Sequence, residues 1–176
     1  MQIDNIETKE TSDLNARMMT DCLITAITPT KYEEMMTVTC GAYATLREYK
    51  TNGLILRRQI GKTTFCRRAM PRLKEMGYNV HYFSVNRSSW SVFVDELSIA
   101  EQTTKSHWIP SVHCASDLDG IAKLGGKKWD EDFPGNEIII ILDEVSPHRF
   151  HQYAKDKLNP KVIERMRIFF VGTVFY

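Results

Sequence analysis

Lys62, Thr63, Asp143 and Glu144 are the residues of this chain whose types and spacing could do chemistry. Gly61-Lys62-Thr63 sits in the stretch Leu56-Arg57-Arg58-Gln59-Ile60-Gly61-Lys62-Thr63-Thr64. The apolar run Leu54-Ile55-Leu56 leads into it and reads as a buried strand. Thr64-Phe65-Cys66-Arg67-Arg68-Ala69-Met70 follows and reads as a helix start. Strand, tight loop, Gly-Lys-Thr and helix are the parts of a phosphate-binding loop. Backbone N–H groups at a helix N-terminus point at an anion, and the helix dipole favours its charge. On that reading Gln59, Ile60, Gly61, Lys62, Thr63 and Thr64 hold the phosphates. Gly61 lets them approach the backbone, Lys62 reaches the β- and γ-phosphates, and the Thr63 hydroxyl ligates magnesium. The general pattern G-x-x-x-x-G-K-S/T asks for glycine where this chain has Leu56. Alone, Gly-Lys-Thr at a helix start is a common tripeptide and decides little.

The second half of the chain adds Glu137-Ile138-Ile139-Ile140-Ile141-Leu142-Asp143-Glu144. Two adjacent carboxylates do not end a buried strand unless something there wants negative charge. Open parallel sheets bind ligands at the carboxyl ends of their strands, which is also where a phosphate loop sits. Asp143 is therefore expected to hold magnesium, directly or through water. Glu144 is expected to orient and activate the attacking water. The bland alternative is that the pair begins a loop or caps the next helix. Taken with the loop, it predicts a magnesium-dependent nucleoside triphosphatase. Thr173 ends the last strand, where it could sense the γ-phosphate; a threonine satisfied by backbone is the plainer reading. Of the two loop arginines, Arg58 is the one expected against the phosphates in the transition state, and Arg57 the solvated charge.

These residues need a framework. Residues 1–11 are polar and expected to fray. From Ser12, Leu14, Met18, Cys22 and Ala26, with Met19, Leu23 and Ile27 beside them, give one apolar helix face. Thr30 and Glu33 form a capping box for a second helix through about Tyr49. The phosphate-loop helix should run to about Met76, kinked or shortened at Pro71 and stopped by Gly77. Val80 to Val85 reads as a strand and Trp90 to Ala100 as a helix, with Trp90 and Phe93 in the core. Residues 101–134, with polar runs and short apolar pieces, are expected to mix loops, a short helix and one strand. The isoleucine run fits a strand buried on both faces of a parallel sheet. A helix from Pro147 to Lys157 follows, broken by Asn159-Pro160. Val162 to Met166 is a helical turn, and Arg167 to Val174 another central strand. Strands alternating with helices argue for an α/β fold with a mostly parallel sheet flanked by helices. Residues 1–52 are expected to be a helical lead-in and residues 53–176 the core.

At 176 residues the chain is one domain's length, and 43% apolar residues suffice to build its core. A net charge of +1 announces no global field for nucleic acid or an anionic membrane. The four cysteines form no C-x-x-C pair, which suits a reducing interior. The opening residues show no signal-peptide pattern, and no apolar run nears the ~20 residues needed to span a bilayer. The expectation is a soluble, cytoplasmic protein without membrane association.

The stretch from Leu56 to Thr64 resembles the deviant phosphate loop of tailed-phage terminase large subunits, the DNA-packaging motors. That loop often reads R-Q-x-G-K-T and often lacks the first glycine. The resemblance covers roughly residues 46–64 and 138–174. It implies a P-loop ATPase of the additional-strand class, with ATP and magnesium as cofactors. It implies that Arg58 acts in cis on the γ-phosphate, that Asp143 binds magnesium and Glu144 is catalytic, and that Gly172-Thr173 is the coupling motif. Leu46-Arg47-Glu48-Tyr49 is similar to the family's adenine-side segment, with Tyr49 as a stacking residue. In that class the last strand lies between the first strand and the Asp-Glu strand. The implied partners are double-stranded DNA, further copies of the chain or a phage protein, in the cytoplasm of a host cell. Family members continue with more ATPase strands and a nuclease domain; this chain stops at Tyr176, so no DNA cleavage is expected. Two other functions remain: an AAA+-like or regulatory ATPase acting on protein, and a nucleotide-binding module without independent turnover.

Other signals carry less. His107, His113, Cys114, Asp117 and Asp119 match no standard zinc spacing and read as loop. His148 and His151, one helical turn apart, read as a partly exposed helix face. Arg67, Arg68, Arg72 and Lys74 could meet DNA phosphate but read as a solvated face.

Overall fold

Four consecutive isoleucines have no polar face to offer water, so they must be covered on both sides. The computed structural model, which describes residues 2–100, 111–118, 129 and 134–173, places them in that way. Strand β4 (Ile138–Asp143) is buried along its whole length. It pairs in parallel with β5 (Met166–Thr173) on one side and with β2 (Asn79–Ser84) on the other. Beyond β5 lies β1 (Thr51–Leu56), and beyond β2 lies the short β3 (Val112–Cys114). The sheet order is β1-β5-β4-β2-β3, every pair parallel, so the last described strand lies between the first strand and the Asp-Glu strand as expected.

Side-chain alternation sorts this sheet into two cores. Ile139, Ile141, Phe169, Val171, Val80 and Tyr82 pack on one face with Cys66, Ala69, Met70 and Leu73 of α4 (Lys62–Glu75) and Phe93 of α5 (Arg87–Ala100). Helix α1 (Gln2–Ile27) joins that face through Met19, Leu23, Ala26 and Ile27. Ile138, Ile140, Leu142, Met166 and Ile168 pack on the other face. There they meet Leu46 of α3 (Ala42–Tyr49), Phe150, Tyr153 and Ala154 of α6 (Pro147–Lys157), and Val162 and Ile163 of α7 (Pro160–Glu164).

The lead-in differs from expectation in three ways. Helix α1 begins at Gln2, not Ser12. Its buried stripe omits Leu14 and Met18, which are exposed, because only the turns facing β1 and β5 are covered. The second helix is two: α2 (Glu33–Cys40) and α3 separate at Gly41, whose φ of 86° and ψ of 162° suit glycine alone. Half the capping box forms, the Thr30 N–H donating to Glu33 Oε1 at 3.1 Å. The rest of Glu33 is spent on Arg167 at the start of β5, whose guanidinium donates to both its oxygens at 3.0 and 2.5 Å. Pro71 does not shorten α4, and Gly77 follows its end with φ 91°. Asn86 caps α5 through the Ser89 N–H, so the helix begins at Arg87, three residues before the apolar pattern does. Among the described residues, no helix is long and apolar enough to cross a membrane.

Candidate functional site

Parity decides which side chains can meet. Asp143 follows Ile139 and Ile141 on the face that α4 covers; Thr173 follows Phe169 and Val171 there; Tyr82 follows Val80. Helix α4 starts at Lys62, directly after the loop leaving β1, so its first turn lies over the carboxyl ends of the same strands. Continued alternation would send Glu144 to the opposite face. Its φ of 60° breaks the strand and brings its carboxylate back toward α4. The Glu144 N–H stays on Val171 O at 2.9 Å, so the turn is anchored.

The loop and the acidic pair then meet. The Thr63 hydroxyl donates to Asp143 Oδ2 at 2.6 Å. Lys62 Nζ lies 3.3 Å from Glu144 Oε1 and donates to the Arg57 carbonyl at 2.9 Å. The Thr173 hydroxyl donates to Glu144 Oε1. Loop geometry is set by Gln59 with φ 60° and by Gly61 with φ 83°, both left-handed. Gly61 caps α4 with no side-chain bond, leaving the first N–H groups of the helix to whatever enters. A cleft of about 500 Å3 opens there. Arg58, Gln59, Gly61, Lys62, Thr63 and Thr64 line it from the loop side, and Val85, Glu144 and Thr173 from the strand ends.

Burial pushes the Asp143 carboxyl above the usual carboxylate range; the hydrogen bonds from Thr63 and Tyr82 pull it back only in part. Its Oδ1 is buried and accepts no hydrogen bond from the described residues. A buried carboxylate with an unpartnered oxygen is costly unless a cation or donor stands against it. Thr63, with its hydroxyl proton spent on Asp143, keeps its lone pairs. A hydroxyl and one carboxylate oxygen, with room for water and phosphate, are the hard-oxygen donors that magnesium takes. The residues present therefore fit that ion.

No protein-family model matches the chain, and no curated protein matches it.

The structure gathers Arg58, Gln59, Gly61, Lys62, Thr63, Thr64, Asp143, Glu144 and Thr173 in one place. Ile60 lies in the same loop, half-buried, but does not line the cleft. Tyr49 is not gathered. It ends α3, before the amino end of β1, whereas the loop leaves the carboxyl end. Six strand residues, about 20 Å, separate the two ends, and Tyr49 does not line the cleft. Tyr82 is a site residue that neither motif contains: its hydroxyl donates to Asp143 Oδ2 at 2.7 Å. Only the β2–β4 register, Tyr82 opposite Ile141, reveals it.

The minor signals also resolve. His151 is buried, not exposed, its Nε2 2.9 Å from Thr51 Oγ1, while His148 is exposed. The basic face on α4 is broken up, because Lys74 is buried with its Nζ on Ser111 Oγ at 3.0 Å and Arg67 pairs with Glu96. His113 lies in β3 with its Nε2 2.9 Å from His81 Nδ1; His107 and Asp119 fall outside the described residues.

Proposed function

We propose that this chain binds a nucleoside triphosphate with magnesium and hydrolyses it. The observation that carries the reading is the Thr63–Asp143 hydrogen bond at 2.6 Å between residues 80 apart in sequence, beside the Lys62–Glu144 pair. Two motifs read separately converge on one cleft, which a chance Gly-Lys-Thr would not require. Lys62 would turn from Glu144 to the phosphates and neutralise them. The N–H groups at the start of α4 would cradle the same oxygens. Thr63 and Asp143 would hold magnesium, which supplies charge neutralisation on the phosphate oxygens. Glu144, relieved of Lys62, would accept a proton from the attacking water. Arg58 would face the γ-phosphate from the loop.

The position of β5 between β1 and β4, with Thr173 on Glu144, favours the additional-strand class of P-loop ATPase. ATP as nucleotide and double-stranded DNA as the worked substrate follow from the resemblance to terminase large subunits. A second reading, a nucleotide-binding module without turnover, is favoured by two contacts on one carboxylate: Glu144 is held by both Lys62 and Thr173.

The test is magnesium-dependent ATP hydrolysis by the purified chain, with and without double-stranded DNA. Lys62→Ala, Asp143→Asn and Glu144→Gln should each lower turnover by about 100-fold or more, Glu144→Gln without loss of nucleotide binding. Unchanged hydrolysis in Glu144→Gln would remove the catalytic assignment. Tight binding without turnover in any condition would favour the second reading.

A further inference from the structure

Tyr82 is fully buried, and its ring stacks on Phe93 with centroids 3.7 Å apart at 12°. Such a ring cannot swing, so the hydroxyl position is fixed by β2 and α5. That hydroxyl donates to Asp143 Oδ2 at 2.7 Å, and the Thr63 hydroxyl donates to the same oxygen at 2.6 Å. Both donors therefore converge on Oδ2, while the buried Oδ1 accepts no hydrogen bond from the described residues. Rotating the carboxylate would break both bonds at once. We propose that Tyr82 is a positioning residue for magnesium: with Thr63 it pins Oδ2 of Asp143 and so fixes the orientation of the carboxylate that would meet the ion.

The inference rests on the magnesium-nucleotide reading above and adds a residue to it. Thr63 alone cannot do this work, since its hydroxyl oxygen would also be offered to the ion. Tyr82 comes from the opposite neighbour of β4 and, like Asp143, does not line the cleft; it reaches the site through its bond to Asp143. Its effect should therefore be on the metal and not on the nucleotide itself. Groups that orient a ligand from behind typically change metal affinity 10–100-fold on removal. A purely structural tyrosine, whose hydroxyl needed any acceptor, would show no such selectivity.

The experiment uses Tyr82→Phe, which keeps the ring and its stacking. Affinity for a fluorescent ATP analogue is measured with saturating magnesium and with chelator, in the native chain and in Y82F. Manganese binding by electron paramagnetic resonance and thermal melting are recorded alongside. The expected result is a magnesium requirement raised about tenfold and weaker manganese binding in Y82F, with affinity in chelator unchanged. Equal losses with and without the ion, or an unchanged magnesium requirement, would overturn the role of Tyr82. If the native chain itself gains no affinity from magnesium, the underlying reading fails, an outcome distinct from the other two. Tyr82→His, which restores a donor to a shorter ring, is the second variant; recovery of magnesium affinity over Y82F supports the assignment.

Discussion

Gly61 holds φ 83°, and a Cβ built on it meets nothing within 4 Å. Its cost of substitution is therefore conformational and not steric. Gly61→Ala should lower stability by about 1 kcal/mol, measured by urea unfolding. Its effect on nucleotide affinity should be larger, since a methyl there would stand in the cleft. At this scale the sequence was informative where chemistry dictates residue type: Gly61, Lys62, Thr63, Asp143 and Glu144 were all legible. Tyr82 was not, because a tyrosine in a strand signals only burial until the register of its neighbour is known. Nor was the φ of 60° at Glu144, without which the expected catalytic carboxylate would point away from Lys62.

Helix α6 shows why its two histidines differ, His148 lying exposed as expected and His151 buried. Phe150, Tyr153 and Ala154 fix its buried face, and His151 falls on that face while His148 does not. Burial pushes the His151 imidazole below its usual value of 6.5, and Arg47 and His148 push it further down. A depressed folded value means that the neutral ring's contribution to stability is complete above pH 6.5 and is lost as pH falls below it toward the folded value. The melting temperature should therefore decline as pH drops from about 6.5 to 5, and His151→Gln should flatten that decline. Some element boundaries were legible, as at Pro147 at the start of α6. Helix α7, expected over Val162 to Met166, begins at Pro160 because Asn159 caps it, and Met166 already opens β5. The boundary was not legible at Gly41, where the apolar pattern continues across a break that only the backbone angles show.

At the scale of the molecule, the N-terminal helices are secured at the end of the sheet remote from the cleft. Arg167 is buried and lies between Glu33 of α2 and Glu137, with Lys50 Nζ 4.0 Å from Glu33 Oε2. Burial pushes the Glu33 carboxyl up, but its bonds to Arg167 and to the Thr30 N–H outweigh this and hold it below the usual value of 4.5. Glu33→Ala would leave a buried guanidinium half-paired and should cost about 3 kcal/mol in urea unfolding. Glu33→Gln, which keeps one acceptor, should cost less. The parallel sheet was legible in the isoleucine run, whereas this ionic anchor was not, since Glu33 and Arg167 stand 134 positions apart.

The placement of β5 bears on how the chain reaches its final state. The last of the described strands in sequence fills the slot between the first strand and β4. No growth from one edge can complete such a sheet; an opening must be kept for a late arrival. Pairings this distant in sequence slow folding, because loop closure precedes any gain from contact. Until β5 enters, Glu144 lacks Val171 as an anchor and Thr173 as a partner. The cleft is therefore among the last features the chain completes on folding, and among the first it surrenders when β5 withdraws.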